Sequence, residues 1–371
     1  MRGTLDFTDG NGFTIPRMTT LSSQPNPSSL PEVWSHYLED YITALEWSPE
    51  GDRIAAGSAD GALKIFNAAD GKELWSLEGH EQGLDSLSWR PDGKALASGG
   101  QDGQVKFWFL DGANVRCVAA PGGASWVEHV EWSHPDNPDP RYPRLASSSG
   151  KKLKLWDYEG KLVREFPEHE KTILDVQWHP NRPLLASAIF GAVQIWGAKD
   201  GDLHKKYDAP FATLKLSWSG NGQWLVTGNQ DSSVHLWRTK TGEEMHMRGY
   251  ETKVRELSWD ATNTFLAAGG SSVISVWDCA GEGPAGRTPE RLEWHAELVS
   301  ALAFSHHGFV LASGSLDGNL AVWEDVVPSR PPTGVARMSG EVTQLAWSPD
   351  DRLLAVADSQ GAVRMYRVKG L

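Results

Sequence analysis

Two sets of residues in this sequence have the types that a hydrolase uses for nucleophilic catalysis. The sets share their order and their spacing: His80, Ser98 and Asp102, and then His295, Ser313 and Asp317. A serine activated by a histidine that an aspartate orients is the chemistry of the Ser-His-Asp triad. A tryptophan completes each set, Trp108 in the first and Trp323 in the second. Because the whole pattern recurs, and the indole adds a further hydrogen-bond donor, we interpret both sets as structural and not catalytic.

Other candidates for chemistry are weaker. His306 and His307 are adjacent in a predicted hairpin turn, and no Cys or third His is near them in sequence, so we predict no metal site there. Asp136 and Asp139 lie in a Pro-rich insertion, 134–144, that is better explained as a solvated rigid loop than as a cation site. We therefore predict no catalytic residue, no cofactor and no bound metal.

The elements that would position these residues are internal repeats. Eight similar hairpin sequences begin at Arg53, Lys94, Arg144, Pro183, Gln223, Thr264, Leu311 and Arg352. A run of the form apolar-x-x-apolar-x-aromatic precedes each, with its aromatic residue at Trp47, Trp89, Trp132, Trp178, Trp218, Trp259, Phe304 and Trp347. Successive gaps are 42, 43, 46, 40, 41, 45 and 43 residues. A period of about 40–45 residues is typical of a four-stranded propeller blade.

The chain resembles the WD-repeat (WD40) β-propeller family from Pro31 to Leu371. The dipeptide that names the family stands at Trp156-Asp157 and Trp277-Asp278. We predict an all-β fold, an eight-bladed β-propeller of four-stranded antiparallel blades, with seven blades as the alternative. The plain repeats and short loops are more typical of a prokaryotic single-domain member.

The ends of the sequence predict how the ring closes. The last repeat stops after its third strand, whereas residues 32–36 resemble a fourth strand that has no blade of its own. We predict that this N-terminal strand completes the last blade, which removes two exposed sheet edges. Residues 1–30, rich in Gly, Ser, Thr, Pro and Asn, are predicted to be disordered, and residues 31–371 form the propeller. Met18 is an alternative start to Met1.

The resemblance also assigns the two sets described first. It implies a hydrogen-bonded tetrad within a blade, made of a His before the first strand, a Ser on the second, an Asp in the following turn and a Trp on the third. The matching residues are His80, Ser98, Asp102 and Trp108, and His295, Ser313, Asp317 and Trp323.

Composition excludes some classes of partner. The formal net charge of −13 argues against binding to nucleic acid or to an anionic membrane surface. The sequence has no apolar run of about 18 residues and no apolar signal core. Cys117 and Cys279 belong to well-separated repeats, so we predict reduced thiols and a cytoplasmic location.

Surface loops are where function is expected. The resemblance implies that partners bind the face where fourth-to-first connections meet second-to-third turns. The candidate residues on that face are Tyr41, Trp126, Glu128, Phe190, Gln230, Arg255 and Leu316. Trp126 belongs to no blade register and is the predicted anchor, with capping of a neighbouring blade as the alternative role.

The sequence therefore predicts a non-catalytic protein-protein interaction scaffold, a monomeric propeller within a complex. Two alternatives stay open. One is a module that binds a peptide or small ligand in the central channel. The other is a propeller enzyme, since residues 67–79 are similar to the tryptophan-docking segment of quinoprotein alcohol dehydrogenases, but this segment occurs convincingly once.

Overall fold

Every regular element in the part of the chain that the structure describes is a β-strand. The structure is a computed structural model, and it describes residues 27–134, 144–325 and 330–368. Within those ranges no helix is long and apolar enough to cross a membrane. The insertion residues Asp136 and Asp139 lie outside the described residues.

Eight innermost strands surround the axis of the molecule. They are β3 (Ile42–Trp47), β7 (Leu84–Trp89), β11 (Val127–Trp132), β15 (Ile173–Trp178), β19 (Thr213–Trp218), β23 (Leu257–Trp259), β27 (Val299–Phe304) and β31 (Val342–Trp347). Each of them contacts the next one along the chain, and β31 contacts β3, so the ring is closed.

Each innermost strand is the first strand of an antiparallel blade. The second strands are β4 (Arg53–Ser58), β8 (Ala95–Gly100), β12 (Leu145–Ser149), β16 (Leu184–Ile189), β20 (Trp224–Asn229), β24 (Phe265–Ala268), β28 (Leu311–Ser315) and β32 (Leu353–Asp358). The third strands are β5 (Leu63–Asn67), β9 (Gln104–Asp111), β13 (Lys152–Trp156), β17 (Gly191–Gly197), β21 (Val234–Arg238), β25 (Val273–Asp278), β29 (Asn319–Trp323) and β33 (Ala362–Arg367).

The fourth strands form the rim. Seven of them follow the third strand of their own repeat: β6 (Glu73–Leu77), β10 (Asn114–Pro121), β14 (Leu162–Glu165), β18 (Leu203–Ala209), β22 (Glu244–Met247), β26 (Glu290–Glu293) and β30 (Gly334–Arg337). The eighth is β2 (Glu32–Tyr37), which pairs antiparallel with β33 in the order β2-β33-β32-β31. The predicted eight blades and N-terminal closing strand are confirmed, and the seven-bladed alternative is excluded.

The N-terminal boundary lies slightly earlier than the sequence predicted. β1 (Ser28–Ser29) adds a short parallel strand outside β30, so blade seven has five strands. Leu30 is buried in the core between blades seven and eight, and its side chain fills the space that a Cβ on Gly334 would need. Residues 28–30 are therefore part of the ordered fold, although the prediction placed them in a disordered segment. Residues 1–26 lie outside the described residues.

The core is divided among the seams between blades. Eight hydrophobic clusters each combine side chains from two adjacent blades, and together they account for all eight seams. A single blade thus cannot bury its own apolar faces, and each depends on its neighbours for stability.

Four of the seven tryptophans that end first strands also hydrogen-bond across the seams. The indole of Trp47 donates to the carbonyl of Ala346, over 2.9 Å, and that of Trp178 donates to the carbonyl of Glu131 at the same distance. Trp89 and Trp347 make the equivalent bonds. These side chains therefore set the spacing between blades as well as filling the core.

A β-bulge recurs at the start of the innermost strand in seven blades. In blade three the register shifts between Val127 and His129, so Glu128 has no partner in the ladder with β12. Bulges redirect side chains. Here the bulge sets Glu128 beside the connection that carries Trp126.

Candidate interaction face

One face of the ring is formed by two kinds of segment. We call the segments that join a fourth strand to the next first strand connectors, the turns between second and third strands inner turns, and the surface they form together the connector face. In each blade an inner turn bonds to a connector, as when Gln230 N–H donates to Ala212 carbonyl, over 3.0 Å, and Leu316 N–H to Leu298 carbonyl, also over 3.0 Å. Backbone hydrogen bonds therefore fix both kinds of segment to each other.

The tetrad of blade two supports this face from below. The imidazole of His80 bonds to Asp102 Oδ1 through Nδ1 and to Ser98 Oγ through Nε2, each over 2.8 Å. The indole of Trp108 donates to the same serine oxygen over 2.9 Å. The structure thus brings all four residues together and ties the connector to the inner turn.

The hydrogen bonds of His80, Ser98 and Asp102 connect these residues as in a catalytic triad, but a substrate cannot reach the serine. Ser98 is fully buried, and its oxygen already accepts a bond from the indole, so no substrate carbonyl reaches that hydroxyl. Burial lowers the pKa of His80, although the hydrogen bond that His80 donates to Asp102 opposes this shift. Burial raises the pKa of Asp102, but hydrogen bonds from His80 and from Gln104 N–H outweigh it and leave that pKa below its usual range.

The second predicted tetrad is incomplete. His295 Nε2 bonds to Ser313 Oγ over 2.8 Å, and Trp323 donates to the same oxygen over 3.0 Å. Asp317 Oδ1, however, lies 3.9 Å from His295 Nδ1, which is outside hydrogen-bond range. The carboxylate of Asp317 accepts from the backbone N–H of Ala296 instead, over 2.8 Å. The turn is still held to the connector, but through the backbone next to the histidine.

The seven predicted face residues have different degrees of exposure. Tyr41, Trp126 and Phe190 have 44%, 50% and 57% of their surface exposed. Gln230 and Arg255 are also exposed, whereas Glu128 and Leu316 are half-buried. The sequence did not single out Trp294 and Leu298, which are exposed apolar residues of the connector before blade seven.

Two of those seven residues line a common depression of about 520 Å³ between blades two and three. Trp126 and Glu128 line it together with Asp102, Gln101 and Thr172. Among the described residues, those that line the depression include two carboxylates and no Lys or Arg. The structure does not bring Tyr41, Phe190, Gln230, Arg255 or Leu316 to this depression, because each belongs to another blade.

The connector that carries Trp126 is held at both ends. Gly122 N–H donates to the Gly103 carbonyl over 2.9 Å, and Ser149 Oγ donates to the Ser125 carbonyl over 2.7 Å. A Cβ on Gly123 would lie 2.3 Å from Ser149 Oγ, so this close approach requires glycine. The indole of Trp126 is therefore presented from a fixed backbone.

A larger cavity, of about 700 Å³, lies on the opposite face between blades four, five and six. His179, Trp224, Arg182 and Lys240 are among its lining residues. Gly281, in the segment between β25 and β26, also contributes to this cavity. Residues 135–143 and 326–329 lie outside the described residues.

The adjacent histidines bond to an acid from the next blade. His306 Nδ1 and His307 Nδ1 bond to separate oxygens of Asp351, over 2.8 and 3.0 Å, and both backbone N–H groups donate to the same carboxylate. Asp351 is almost fully buried. The group therefore joins a turn of blade seven to one of blade eight, a contact that no local sequence pattern indicated.

Comparison with known proteins places the chain in a family. The family described as WD domain, G-beta repeat, matches residues 29–67, 71–108, 160–203, 209–238, 243–278 and 286–324. The chain belongs to this family. The last part of this WD-repeat protein, residues 332–370, also matches the WD40 domain of anaphase-promoting complex subunit 4.

Three of its curated relatives are distant and longer. WD repeat-containing protein srw1 of Schizosaccharomyces pombe is 24% identical, over 80% of this chain and 46% of its own length. Transcriptional corepressor LEUNIG_HOMOLOG of Arabidopsis thaliana is 26% identical, over 67% of this chain and 31% of its own. The anaphase-promoting complex subunit cdc20 of Dictyostelium discoideum is 23% identical, over 56% of this chain and 44% of its own. The WD-repeat chain thus spans about half or less of the length of these relatives.

A solved structure shares the fold. The crystal structure of the computationally designed Ika8 protein superposes with a TM-score of 0.74, covering 91% of this chain and 99% of that chain at 23% identity. This likeness concerns the architecture alone.

Proposed function

We propose that this WD-repeat protein is a non-catalytic scaffold whose connector face docks a protein partner, with Trp126 as the anchor. The observation that carries the proposal is the half-exposed indole of Trp126 beside the acid-lined depression between blades two and three. Aromatic side chains next to pockets are enriched among residues that dominate binding energy.

Rigidity supports this role. The hydrogen bonds around Gly122, Ser125 and Ser149 hold the connector in place before any partner arrives. A surface that is already ordered loses little conformational entropy on binding, which improves affinity without new contacts.

Charge suggests the chemistry of the partner. Asp102 and Glu128 line the depression, and the whole chain has a net charge of −13. A segment with a Lys or Arg side chain would meet the half-buried carboxylate of Glu128 and the exposed indole of Trp126, and aromatic rings attract cations. We therefore propose a basic protein segment as the ligand, not a nucleic acid or an anionic membrane.

The names of two relatives support a role within a protein complex. One of them is a subunit of an anaphase-promoting complex and another is a transcriptional corepressor, by their names. We further propose that this chain acts as a single propeller within such an assembly. A reducing, cytoplasmic setting fits the exposed thiol of Cys117 and the buried thiol of Cys279, which lie in blades two and six.

The proposal is tested by capture from the native host with wild type, Trp126→Ala and Tyr158→Ala, followed by quantitative mass spectrometry. Tyr158 is a matched control because it is also 50% exposed but lies in a third-to-fourth strand turn, at the other end of the blade. We expect Trp126→Ala to reduce recovery of the partner at least tenfold, since truncating an anchor costs about 2 kcal/mol or more.

Tyr158→Ala should recover the partner as wild type does. If Trp126→Ala also recovers as much partner as wild type does, the partner docks elsewhere than at Trp126. The cavity near His179 and Trp224 would then be the next surface to test. If no protein is enriched by wild type, the scaffold proposal fails.

A further inference from the structure

The outer hairpin of blade five brings together three side chains that commonly bind transition metals. His235 lies on β21, and Glu244 and His246 lie on β22. His235 and His246 are directly opposite in the ladder, and Glu244 is two positions from His246, so all three project from the same side of the sheet. The sequence alone did not indicate this group, because the pairing depends on the register of the two strands.

The ligand atoms converge on one carboxylate oxygen. His235 Nδ1 lies 2.6 Å and His246 Nε2 lies 3.0 Å from Glu244 Oε1. The three potential ligand atoms are all within 4.8 Å of one another. In a tetrahedral zinc site with bonds of about 2.0–2.2 Å, neighbouring ligand atoms are roughly 3.4 Å apart. Small side-chain rotations would therefore open this group around an ion.

We propose that His235, Glu244 and His246 form a binding site for a divalent transition metal of the zinc class. Two imidazole nitrogens and one carboxylate oxygen are the ligand types that Zn²⁺ prefers, and three protein ligands leave a fourth position for water. The ion would join the third and fourth strands of blade five at the rim of the ring.

The surroundings favour an ion at this group. His235 is buried and packs against Phe211, with ring centroids 4.2 Å apart, so its ring is held in place. Glu244 and His246 are more exposed and leave a path for the ion.

The test uses the untagged full chain after treatment with a chelator. Zn²⁺ is titrated calorimetrically, and Co²⁺ is followed by its visible absorption, which reports tetrahedral coordination. We expect one saturable site in wild type and a rise in its melting temperature with Zn²⁺. His246→Ala and Glu244→Gln should weaken binding on the order of 100-fold, since even the loss of an outer partner costs 10–100-fold.

Two controls distinguish this site from other histidines. His204 bonds to Asp200 over 2.9 Å on the rim of blade four, as an exposed His–carboxylate pair, and His204→Ala should bind Zn²⁺ as wild type does. The double variant His306→Ala/His307→Ala should also retain the site. The proposal is overturned if wild type shows no saturable binding, if His246→Ala binds as tightly as His204→Ala, or if the double variant loses the site.

Discussion

At the scale of single residues, the buried Ser98 of blade two forms hydrogen bonds with two aromatic side chains. Ser98 bonds to the imidazole of His80 and to the indole of Trp108. Ser147, at the equivalent position of blade three, accepts a hydrogen bond from the indole of Trp156 but has no histidine partner among the described residues. A buried polar group that loses its partner costs about 1–3 kcal/mol. We therefore expect Ser98→Ala to lower the free energy of unfolding more than Ser147→Ala does.

Chemical denaturation of the two variants beside wild type measures this difference. Ser147 is an appropriate comparison because it is also buried, on the equivalent second strand. Equal losses for both substitutions would contradict the view that the histidine bond stabilises the connector.

At the scale of elements, the seams between innermost strands contain two half-buried acids. Glu46 Oε1 accepts from Trp89 N–H over 3.2 Å, and Glu131 Oε2 accepts from Trp178 N–H over 3.0 Å. Burial raises the pKa of each carboxyl to about 8, from the ordinary 4.5, despite these hydrogen bonds. Both side chains are therefore mostly protonated in the folded protein at pH 7.

These seams should make stability depend on pH. The folded state holds the two protons more tightly than the unfolded chain, so their stabilising contribution is complete below pH 4.5 and is lost as the pH rises through about 8. Glu46→Gln keeps an acceptor for Trp89 N–H but cannot ionise. We expect this variant to lose less stability than wild type between pH 6 and pH 9.

Thermal unfolding across this pH range checks the prediction. Glu341→Gln, at an exposed connector position, is the control and should follow the wild-type curve. Parallel curves for Glu46→Gln and wild type would show that Glu46 ionises normally in the folded state.

The sequence predicted elements better than contacts between them. The recurring aromatic of the first strand and the unpaired segment at 32–36 were sufficient for eight blades and their closure, because they report on periodicity along the chain. The bond between His306 and Asp351 joins residues of different blades, and the grouping of His235 with His246 depends on hairpin register. Asp317 is a further contact that the sequence did not predict correctly. It matches the tetrad motif, but its carboxylate accepts from the backbone N–H of Ala296 and not from His295.

At the scale of the whole molecule, closure depends on a strand that contacts two blades. Trp34 of β2 is buried against blade one, where its indole donates to the Ala68 carbonyl over 2.8 Å and its ring lies 5.8 Å from that of Phe66. The same strand completes the sheet of blade eight. Truncation of a buried tryptophan typically costs about 3–5 kcal/mol.

We expect Trp34→Ala to lower the free energy of unfolding by about this amount and to expose the edge of β33, which promotes pairing between chains. Chemical denaturation and light scattering measure the two effects. Trp126→Ala removes an exposed indole and should change neither. A Trp34→Ala variant as stable and as monodisperse as wild type would mean that β2 is dispensable for closure.

The pairing of β2 with β33 also has a consequence for the order of synthesis. β2 leaves the ribosome among the first segments of the ring, and its partner, Ala362–Arg367, is the last strand of the ring to be translated. Seven blades can assemble while the chain is still growing, but blade eight and the seams on either side of it form only after the end of the propeller has emerged. During that interval β2 and the open sides of the first and last blades are exposed to chaperones and to neighbouring nascent chains. The duration of translation thus sets how long this ring stays open.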